Sequence, residues 1–322
     1  MTNTTLGRSI RRLLAPPAAG LAILALAGAV HAGGGVAYST IQISNLVLTN
    51  EATGEVIGLE NFTSIEGGDT VSGGATLDGA SINTARTRDL SVAGGLSPEV
   101  ADLPLQCVGP DCGGISENDF DRQNIGGDPG NFARADGLLQ GAFLDIEDLG
   151  PAEASQVTEV QLNRTGAGET DSRISNDSEF TFTPGTDFDE GVTFSFDAFA
   201  DLYAVLFQDD FIARADHSFD LNLTGPDGEL LLRFSPDELN RSVSVLSERE
   251  AAPGAIQESF TANSGALVGG EQYTLSLVTT TSADLRVQVP EPASVALFGL
   301  GLLALGGTLY RRRSQGQETL AA

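Results

Sequence analysis

The sequence predicts an all-β protein: an antiparallel β-sandwich or jelly-roll-like body, flanked by an N-terminal signal peptide and a single C-terminal transmembrane helix. Three observations lead to this prediction. The second half of the chain alternates apolar and polar residues with a period of two, turn-forming residues separate these segments, and long uncharged apolar runs stand at the two chain ends. Two sheets packed face to face are the usual way in which such a chain buries its apolar faces.

Residues 1–32 have the three parts of a secretory signal peptide. Arginines within 8–12 form a basic region, an apolar stretch follows at 18–30, and small residues close the segment. We expect Sec translocon export and signal peptidase cleavage after Ala32. Prolines at 16–17 leave the apolar run short of the ~20 residues of a membrane span, so an N-terminal anchor is disfavoured. The twin-arginine route is the minor alternative.

The first half of the body contains one clear strand and several glycine-rich segments. The strand is predicted at Thr40–Asn50 from alternating aliphatic residues. Glycine, aspartate and serine are frequent in 67–79 and 94–130, which predicts long loops between short strands. One helical turn is expected after Ser97. Residues 135–149 fit helix or strand by periodicity, and we favour a strand.

Two cysteines, Cys107 and Cys112, are the only ones in the chain, and they bracket the turn-forming residues 109–111. We predict a disulfide formed in an oxidising compartment, which stabilises a small loop by about 2 kcal/mol. A zinc site is not expected, because the only histidines are His31, which is lost with the signal peptide, and His217. The cysteine spacing also differs from that of redox-active pairs.

The second half of the body predicts regularly spaced antiparallel strands. Alternating phenylalanines mark one strand at 180–182 and another at 194–196, with a loop between them. A hairpin turn is expected at Pro226–Gly228, and a Ser-Ala-Asp turn at 282–284 is expected to divide the last two apolar segments.

The body is strongly acidic. The whole chain has a formal charge of −27, and residues 33–289 contain 42 acidic residues and 11 arginines, hence −31 (11 − 42). Such a charge repels nucleic acids and anionic lipid surfaces, so nucleic-acid binding is excluded as a function. The simplest interpretation of the acidity is colloidal solubility, and binding of divalent cations is the alternative.

One loop offers the best candidate ligands for calcium. Asp119, Asp121, Asn124 and Asp128 place several hard oxygen atoms on a glycine-rich segment next to the cysteines. The spacing is not that of an EF-hand, and solvated loop acids are the simpler interpretation. We therefore expect no cofactor, with calcium as the alternative.

Sequence motifs of common enzymes are absent from this chain. It has no serine hydrolase elbow, zinc-protease motif, phosphate-binding loop or dinucleotide fingerprint. We expect His217 to be an exposed residue at a strand edge. The body has no tryptophan and only three tyrosines, which weakens carbohydrate binding on aromatic platforms. A non-enzymatic body is predicted; a secreted carbohydrate-binding module or carbohydrate-active enzyme is the alternative.

The C-terminus combines three features in a fixed order. Pro290, Glu291 and Pro292 form a strip that proline holds extended, an uncharged apolar stretch follows at 293–310, and Arg311, Arg312 and Arg313 end it. Eighteen residues give roughly 27 Å of helix, which barely spans the hydrocarbon core. A buried core helix would not be apolar on all sides and then end in three arginines. The arginines are expected on the cytoplasmic side, as a membrane stop.

This arrangement resembles the PEP-CTERM sorting signal of Gram-negative bacteria with exopolysaccharide systems. The resemblance implies that an exosortase recognises Pro290, Glu291 and Pro292 and releases the body to the cell exterior. A GPI signal is the main rival, but its tail ends in apolar residues. The expected organisation is a secreted β-rich domain at 33–288, a sorting signal with its transmembrane helix at 289–313 and a cytoplasmic tail at 314–322.

These features together predict an exported protein. We expect a precursor that is transiently tethered to the inner membrane and then resides at the cell surface or in the extracellular matrix. A structural or adhesive role in an exopolysaccharide matrix is the function that we predict for the body.

Overall fold

The computed structural model describes residues 33–91, 101–123, 130–141, 151–164, 169–186, 188–207, 211–247 and 249–287. Strands dominate this part of the chain. In chain order they are β1 (Gly33–Asn50), β2 (Phe62–Leu77), β3 (Ala80–Ser91), β4 (Ala101–Val108), β5 (Phe132–Gln140), β6 (Ala152–Arg164), β7 (Glu169–Pro184), β8 (Gly191–Leu206), β9 (Phe211–Thr224), β10 (Leu230–Phe234), β11 (Arg241–Val245), β12 (Glu250–Ala251), β13 (Ile256–Ala266) and β14 (Tyr273–Val287). Short 3₁₀ turns lie at Leu59–Asn61, Pro110–Gly114 and Asp237–Leu239.

The strands form two seven-stranded antiparallel sheets. The first sheet has the order β12-β8-β1-β6-β5-β4, and β13 shares the outer edge of β8 with β12. The second sheet has the order β10-β9-β14-β7-β2-β3, and β11 shares the outer edge of β9 with β10. β14 lies across from β1 and β6, and β9 lies across from β1 and β8. The predicted β-sandwich is therefore confirmed.

Aromatic side chains join the two sheets in the larger of two apolar core clusters. Phe196 of β8 and Phe219 of β9 approach to 4.9 Å between ring centroids, and Phe196 stacks on Phe260 of β13 at 5.4 Å. Phe194 and Phe196 point inward because alternate residues of β8 face the core. Phenylalanines at a period of two thus become the hydrophobic face that their spacing predicts.

A bulge in β1 explains why its apolar residues change register. Ile41 and Ile43 are buried at odd positions, whereas Leu46 and Leu48 are buried at even positions. The pairing of β1 with both neighbours shifts between these two pairs of residues. Asn45 lies at the shift with φ of 55°, a left-handed conformation that asparagine tolerates. The extra residue keeps both apolar pairs on the core face.

Two hairpins differ in how well the sequence predicted them. The turn at Pro226–Gly228 joins β9 to β10, as expected. The expectation of long loops in 67–79 is wrong, because these residues belong to β2 and to its hairpin with β3. Asp78 and Gly79 form the turn with φ of 52° and 79°, and Asp-Gly is a strong hairpin signal.

Three further expectations are corrected in whole or in part. The turn expected at 282–284 is wrong, because β14 continues through it, paired on both sides with β7 and β9. Residues 101–104 of the expected helical turn lie in β4, while 97–100 lie outside the described residues. Residues 135–140 lie in strand β5, as we favoured; 142–149 lie outside the described residues.

The expectation of an exposed histidine at a strand edge is wrong. His217 lies in β9, which pairs with β14 on one side and with β11 on the other. Its side chain faces the core between Ala215 and Phe219, the neighbouring inward residues of that strand, and it is only 3% exposed. Burial lowers its pKa from 6.5 to about 4, with a further small decrease from Arg241 and an opposing effect of the Glu238 backbone.

Candidate functional site

A loop covers part of the outer face of the first sheet and encloses charged side chains beneath it. We call residues 109–123 the cover loop. Ala133 and Ala135 of β5 belong to the core, so Arg134 between them points to the outer face of the sheet. Arg134 and Glu159 of β6 are nevertheless completely buried. The cover loop therefore turns this part of the outer face into a second interior.

Arg134 connects the sheet to the cover loop. Its Nε donates to Oε2 of Glu159 at 2.9 Å, its Nη1 donates to the Asp119 carbonyl at 2.7 Å, and its Nη2 donates to the Asp121 carbonyl. The backbone N–H of Gln123 donates to both carboxylate oxygens of Glu159 at 3.2 Å. The first of these contacts pairs Arg134 with Glu159 within the sheet, and the contacts with Asp119, Asp121 and Gln123 join that ion pair to the loop and fix the loop in place.

Burial raises the pKa of Glu159, and the Arg134 guanidinium opposes this effect most strongly. Gln161 Nε2 also donates to Oε1 of Glu159 at 2.5 Å, and the same amide nitrogen donates to the Gln123 carbonyl at 2.8 Å. A buried ion pair is stable only if its remaining polar atoms find partners. Glutamine and backbone groups provide those partners here.

Two more outer-face side chains hold the cover loop. The Tyr38 hydroxyl of β1 donates to the Phe120 carbonyl at 2.8 Å. The backbone N–H of Asn118 donates to Oδ2 of Asp136 at 2.6 Å. Burial raises the pKa of Asp136 from 3.8 to about 6, although the hydrogen bond from Asn118 and the charge of Arg134 oppose the shift.

The two cysteines join the end of β4 to the start of the cover loop. Cys107 is in β4 and Cys112 in the following 3₁₀ turn, and their sulfur atoms are 2.07 Å apart, the distance of a disulfide. Oδ2 of Asp111, between them, accepts a hydrogen bond from the Asn131 backbone at 2.8 Å. The loop is thus fixed covalently at its first residues and by Arg134 and Glu159 near its last ones.

The candidate calcium ligands are only partly placed by the structure. Asp119 accepts hydrogen bonds from the Asp121 backbone at 3.1 Å and from Gln123 at 2.8 Å. Asn124 and Asp128 lie outside the described residues. Within the residues that are described, no group of three or more histidine, cysteine, aspartate or glutamate side chains is arranged to hold a metal ion. Calcium binding therefore stays a prediction.

The tyrosines of the body are not available as free stacking platforms. The guanidinium carbon of Arg122, at the end of the cover loop, lies 3.8 Å from the centroid of the Tyr203 ring. Tyr38 and Tyr273 are each 2% exposed. One face of Tyr203 is thus covered by the loop, and the other two rings are buried.

Sequence reasoning missed Arg134, Glu159, Tyr38 and Asp136 as the residues that organise this site. Charged residues between apolar ones on a strand predict a solvated face. Nothing in the pattern distinguishes a polar face that meets water from one that a distant loop covers. The unusual signal is Arg134 itself, the single cation of its strand, between two core alanines.

Both ends of the described body lie at one end of the sandwich. Leu285 of β14 packs against Gly35 of β1: a Cβ at Gly35 would lie 3.0 Å from Cδ2 of Leu285 and 2.6 Å from the Val205 carbonyl oxygen. β1 begins at Gly33 and β14 ends at Val287, each two residues from this contact. We call this end of the sandwich the terminal pole.

The predicted sorting residues Pro290, Glu291 and Pro292, the apolar stretch and the arginines at 311–313 lie outside the described residues. In the part of the chain that the structure describes, no helix has the length and apolarity needed to span a membrane. The final strand β14 ends at Val287, so the sorting residues follow a fully paired central strand after two intervening residues.

Comparison with known protein families identifies the C-terminal segment. A family model of the PEP-CTERM protein-sorting motif matches residues 288–313. No curated protein and no solved structure matches the chain. The match begins at the residue after the end of β14 and includes both the Pro-Glu-Pro strip and the three arginines. The chain therefore carries a PEP-CTERM protein-sorting signal, and it is an exported protein that an exosortase targets for processing at the membrane.

Proposed function

We propose that this protein is a structural or adhesive component of the cell surface or exopolysaccharide matrix, and that an exosortase delivers its β-sandwich body. The observation that carries the proposal is the position of the sorting motif. It begins at residue 288, directly after the last core strand, so the entire described fold precedes the signal. Both described sheets are built from residues that precede the signal, so a cut within the signal would leave their strand pairing intact.

The terminal pole supports this delivery. Because Gly35 and Leu285 touch, the two export signals are attached at the same end of the sandwich. The opposite end carries the turn at Asn50–Gly54 and the β9–β10 turn, and it is the end that faces away from both attachment points. A precursor held by its tail would present this opposite end to its surroundings.

The last strand also restricts where the chain can be cut. Leu285 is fully buried and pairs with Ala213 and Thr170, and Val287 still pairs with Phe211. A protease needs its substrate extended and unpaired, so a cut before Val287 would require β14 to leave the sheet. We place the cut at or after residue 288, in or near the Pro-Glu-Pro strip.

The acidic surface and the fixed cover loop favour a durable extracellular module. Net negative charge keeps a secreted protein soluble and disperses neighbouring copies. The disulfide and the buried Arg134–Glu159 pair fix a loop that would otherwise be a long exposed segment. In the rival carbohydrate-active interpretation, sugars would stack on exposed aromatic rings. Arg122 covers one face of Tyr203, and Tyr38 and Tyr273 are buried, so the tyrosines offer little surface for this mode of binding.

Cell fractionation tests the proposal. Wild type is compared with Pro290→Ala/Pro292→Ala, and with the matched control Pro253→Ala, which alters an exposed proline in the segment between β12 and β13. We expect wild type and control in the extracellular polymer fraction and the double variant in the inner membrane. Equal distribution of all three proteins would contradict exosortase delivery. Binding to a glycan array, or sugar release from a polysaccharide, would replace the structural role with the carbohydrate-active one.

A further inference from the structure

Polar side chains interrupt the hydrophobic core of the sandwich. Two apolar clusters fill the space between the sheets, one toward the terminal pole and one toward the opposite end. On each of the four strands β1, β6, β9 and β14, polar inward-facing residues separate the residues of one apolar cluster from those of the other. We call these residues, together with an asparagine of β7, the polar belt: Ser39 of β1, Gln156 and Thr158 of β6, Asn176 of β7, His217 of β9, and Thr279 and Thr281 of β14.

The strand register brings these residues together. In the first sheet, Thr158 lies directly opposite Ser39. In the second sheet, Thr279 lies opposite Asn176, and Thr281 lies opposite His217. Residues directly opposite each other in antiparallel strands have side chains on the same face. Since β14 lies across from β1 and β6, the two halves of the polar belt face each other across the core.

The polar belt is sealed from solvent and largely lacks protein partners. No belt residue is more than 3% exposed. Nine of its atoms have no hydrogen-bond partner among the described residues: both side-chain polar atoms of Gln156, Asn176 and His217, and the hydroxyls of Thr158, Thr279 and Thr281. The Glu238 backbone approaches His217 and affects its pKa, but the contact lacks hydrogen-bond geometry.

Nine buried polar atoms without partners, at about 1–3 kcal/mol each, would cost a free energy comparable to the whole net stability of a domain, about 5–15 kcal/mol. Buried polar groups in native proteins bind either one another or ordered water. The side chains of the polar belt face each other without meeting hydrogen-bond geometry, so a small molecule that both donates and accepts is needed between them.

The chemistry of the polar belt selects that molecule. Its members are amides, hydroxyls and one imidazole that burial keeps neutral at pH 7, so they offer donors and acceptors but no carboxylate for a metal ion. The sheets are also close together, because the Ser39 hydroxyl of the first sheet donates to the Asp216 carbonyl of the second at 2.8 Å. So close an approach of the two sheets beside the polar belt favours a bridging molecule of the smallest size.

We propose that the polar belt is a binding site for ordered internal water molecules, which join Gln156 and Thr158 of the first sheet to Asn176, Thr279, Thr281 and His217 of the second. Each water bridges groups on both sheets, so the waters hold the two halves of the sandwich in register where apolar packing is interrupted. This site is separate from the cover loop and from the sorting signal.

A crystal structure of the full-length exported protein tests the proposal. We expect at least three ordered waters within about 3.2 Å of the polar belt atoms, each with two or more belt partners. Direct hydrogen bonds between the side chains, without density between them, would overturn the proposal. Density for a larger molecule or an ion would overturn it as well.

Magnetic relaxation dispersion of water oxygen provides an independent count of long-lived internal waters. The variant Thr279→Val/Thr281→Val removes two hydroxyls at nearly constant volume, and Thr274→Val makes the same change on the outward face of β14. We expect the double variant to lose at least one internal water and the control to lose none. The same water count in all three proteins would contradict the proposal. If the double variant does not fold, the wild-type crystal structure still decides.

Discussion

Leu285 of the last strand lies directly on Gly35 of the first strand, where the Val205 carbonyl leaves no space for a side chain. This contact closes the terminal pole, so the first residues of β1 and the last residues of β14 lie at one end of the body. It also explains why a glycine stands at this position, because any Cβ at residue 35 would meet backbone 2.6 Å away. The start of β1 and the end of β14 are thus packed against each other in the core.

Gly35→Val should destabilise the body by about 1–3 kcal/mol, the usual effect of overpacking a core. The added methyl groups would force β8 away from β1 or displace Leu285. Urea unfolding followed by circular dichroism measures the effect. Gly113→Ala is the control, because a Cβ there has no neighbour within 4 Å. Equal stability of Gly35→Val and wild type would show that the terminal pole is not tightly packed.

Arg134→Met should cost roughly 3–5 kcal/mol, because Glu159 would remain buried without its counterion and the cover loop would lose its arginine contacts. Arg286→Met is the matched control. Arg286 is paired with Asp284 but half exposed, so its loss should cost under about 1 kcal/mol. Limited proteolysis should cut the cover loop only in Arg134→Met. Similar stability and similar cleavage of the two variants would contradict a structural role for the buried pair.

The stability contributed by neutral His217 should be lost as the pH falls. Its pKa is lowered from 6.5 in the unfolded chain to about 4 in the fold, so between these values the unfolded state binds a proton that the folded state does not. The contribution is complete above pH 6.5 and decreases toward pH 4, by roughly 3 kcal/mol.

His217→Gln removes this ionisation. The difference in the free energy of unfolding between wild type and variant, measured in urea at pH 7, 6, 5 and 4, should therefore shift in favour of the variant as the pH falls. Carboxyl groups that titrate in the same pH range change the free energy of unfolding of both proteins equally, so their effect cancels in this difference. A difference that does not vary with pH would show that His217 is not buried as a neutral imidazole.

The stability contributed by Asp136 should change with pH in the direction opposite to that of His217: it should be lost as the pH rises. Its pKa is raised from 3.8 to about 6, so the stability that it contributes is complete below pH 3.8 and is lost as the pH rises through 6. Asp136→Asn keeps an acceptor for the Asn118 backbone and should be more stable than wild type at pH 8, by up to roughly 3 kcal/mol. This advantage should vanish by pH 4. Glu258→Gln, an exposed change on β13, is the control, and a stability gain for Asp136→Asn that is equal at both pH values would refute the assignment.

Strand positions were predictable where alternation and turn chemistry agreed. The phenylalanines of β8 and the turn at Pro226–Gly228 gave correct strands because each residue faces the side that its polarity suggests. The hairpin of β2 and β3 was missed because Gly67, Gly73 and Gly74 suggested loops. In the sheet these glycines allow close approach of neighbouring backbones and side chains, with a Cβ at Gly73 falling 3.0 Å from Leu103.

The candidate site was less predictable than the fold. Alternation identifies two faces of a strand but does not reveal what covers the polar one, so buried Arg134 and Glu159 had the same pattern as solvated charges. His217 was misplaced for a related reason, since nothing in its immediate sequence reveals that a polar belt crosses the core at the inward position between Ala215 and Phe219. The sorting motif was predictable because its residues act in sequence order and need no distant partner.

Intact-mass analysis of the extracellular protein tests the central claim most directly. If an exosortase severs a folded body from its tail, the released species should begin at Gly33, end at or after residue 288, and lack residues 297–313. Its two cysteines should be oxidised. An extracellular species that retains residues 297–313 would contradict the account, because the C-terminal segment would then be a permanent anchor.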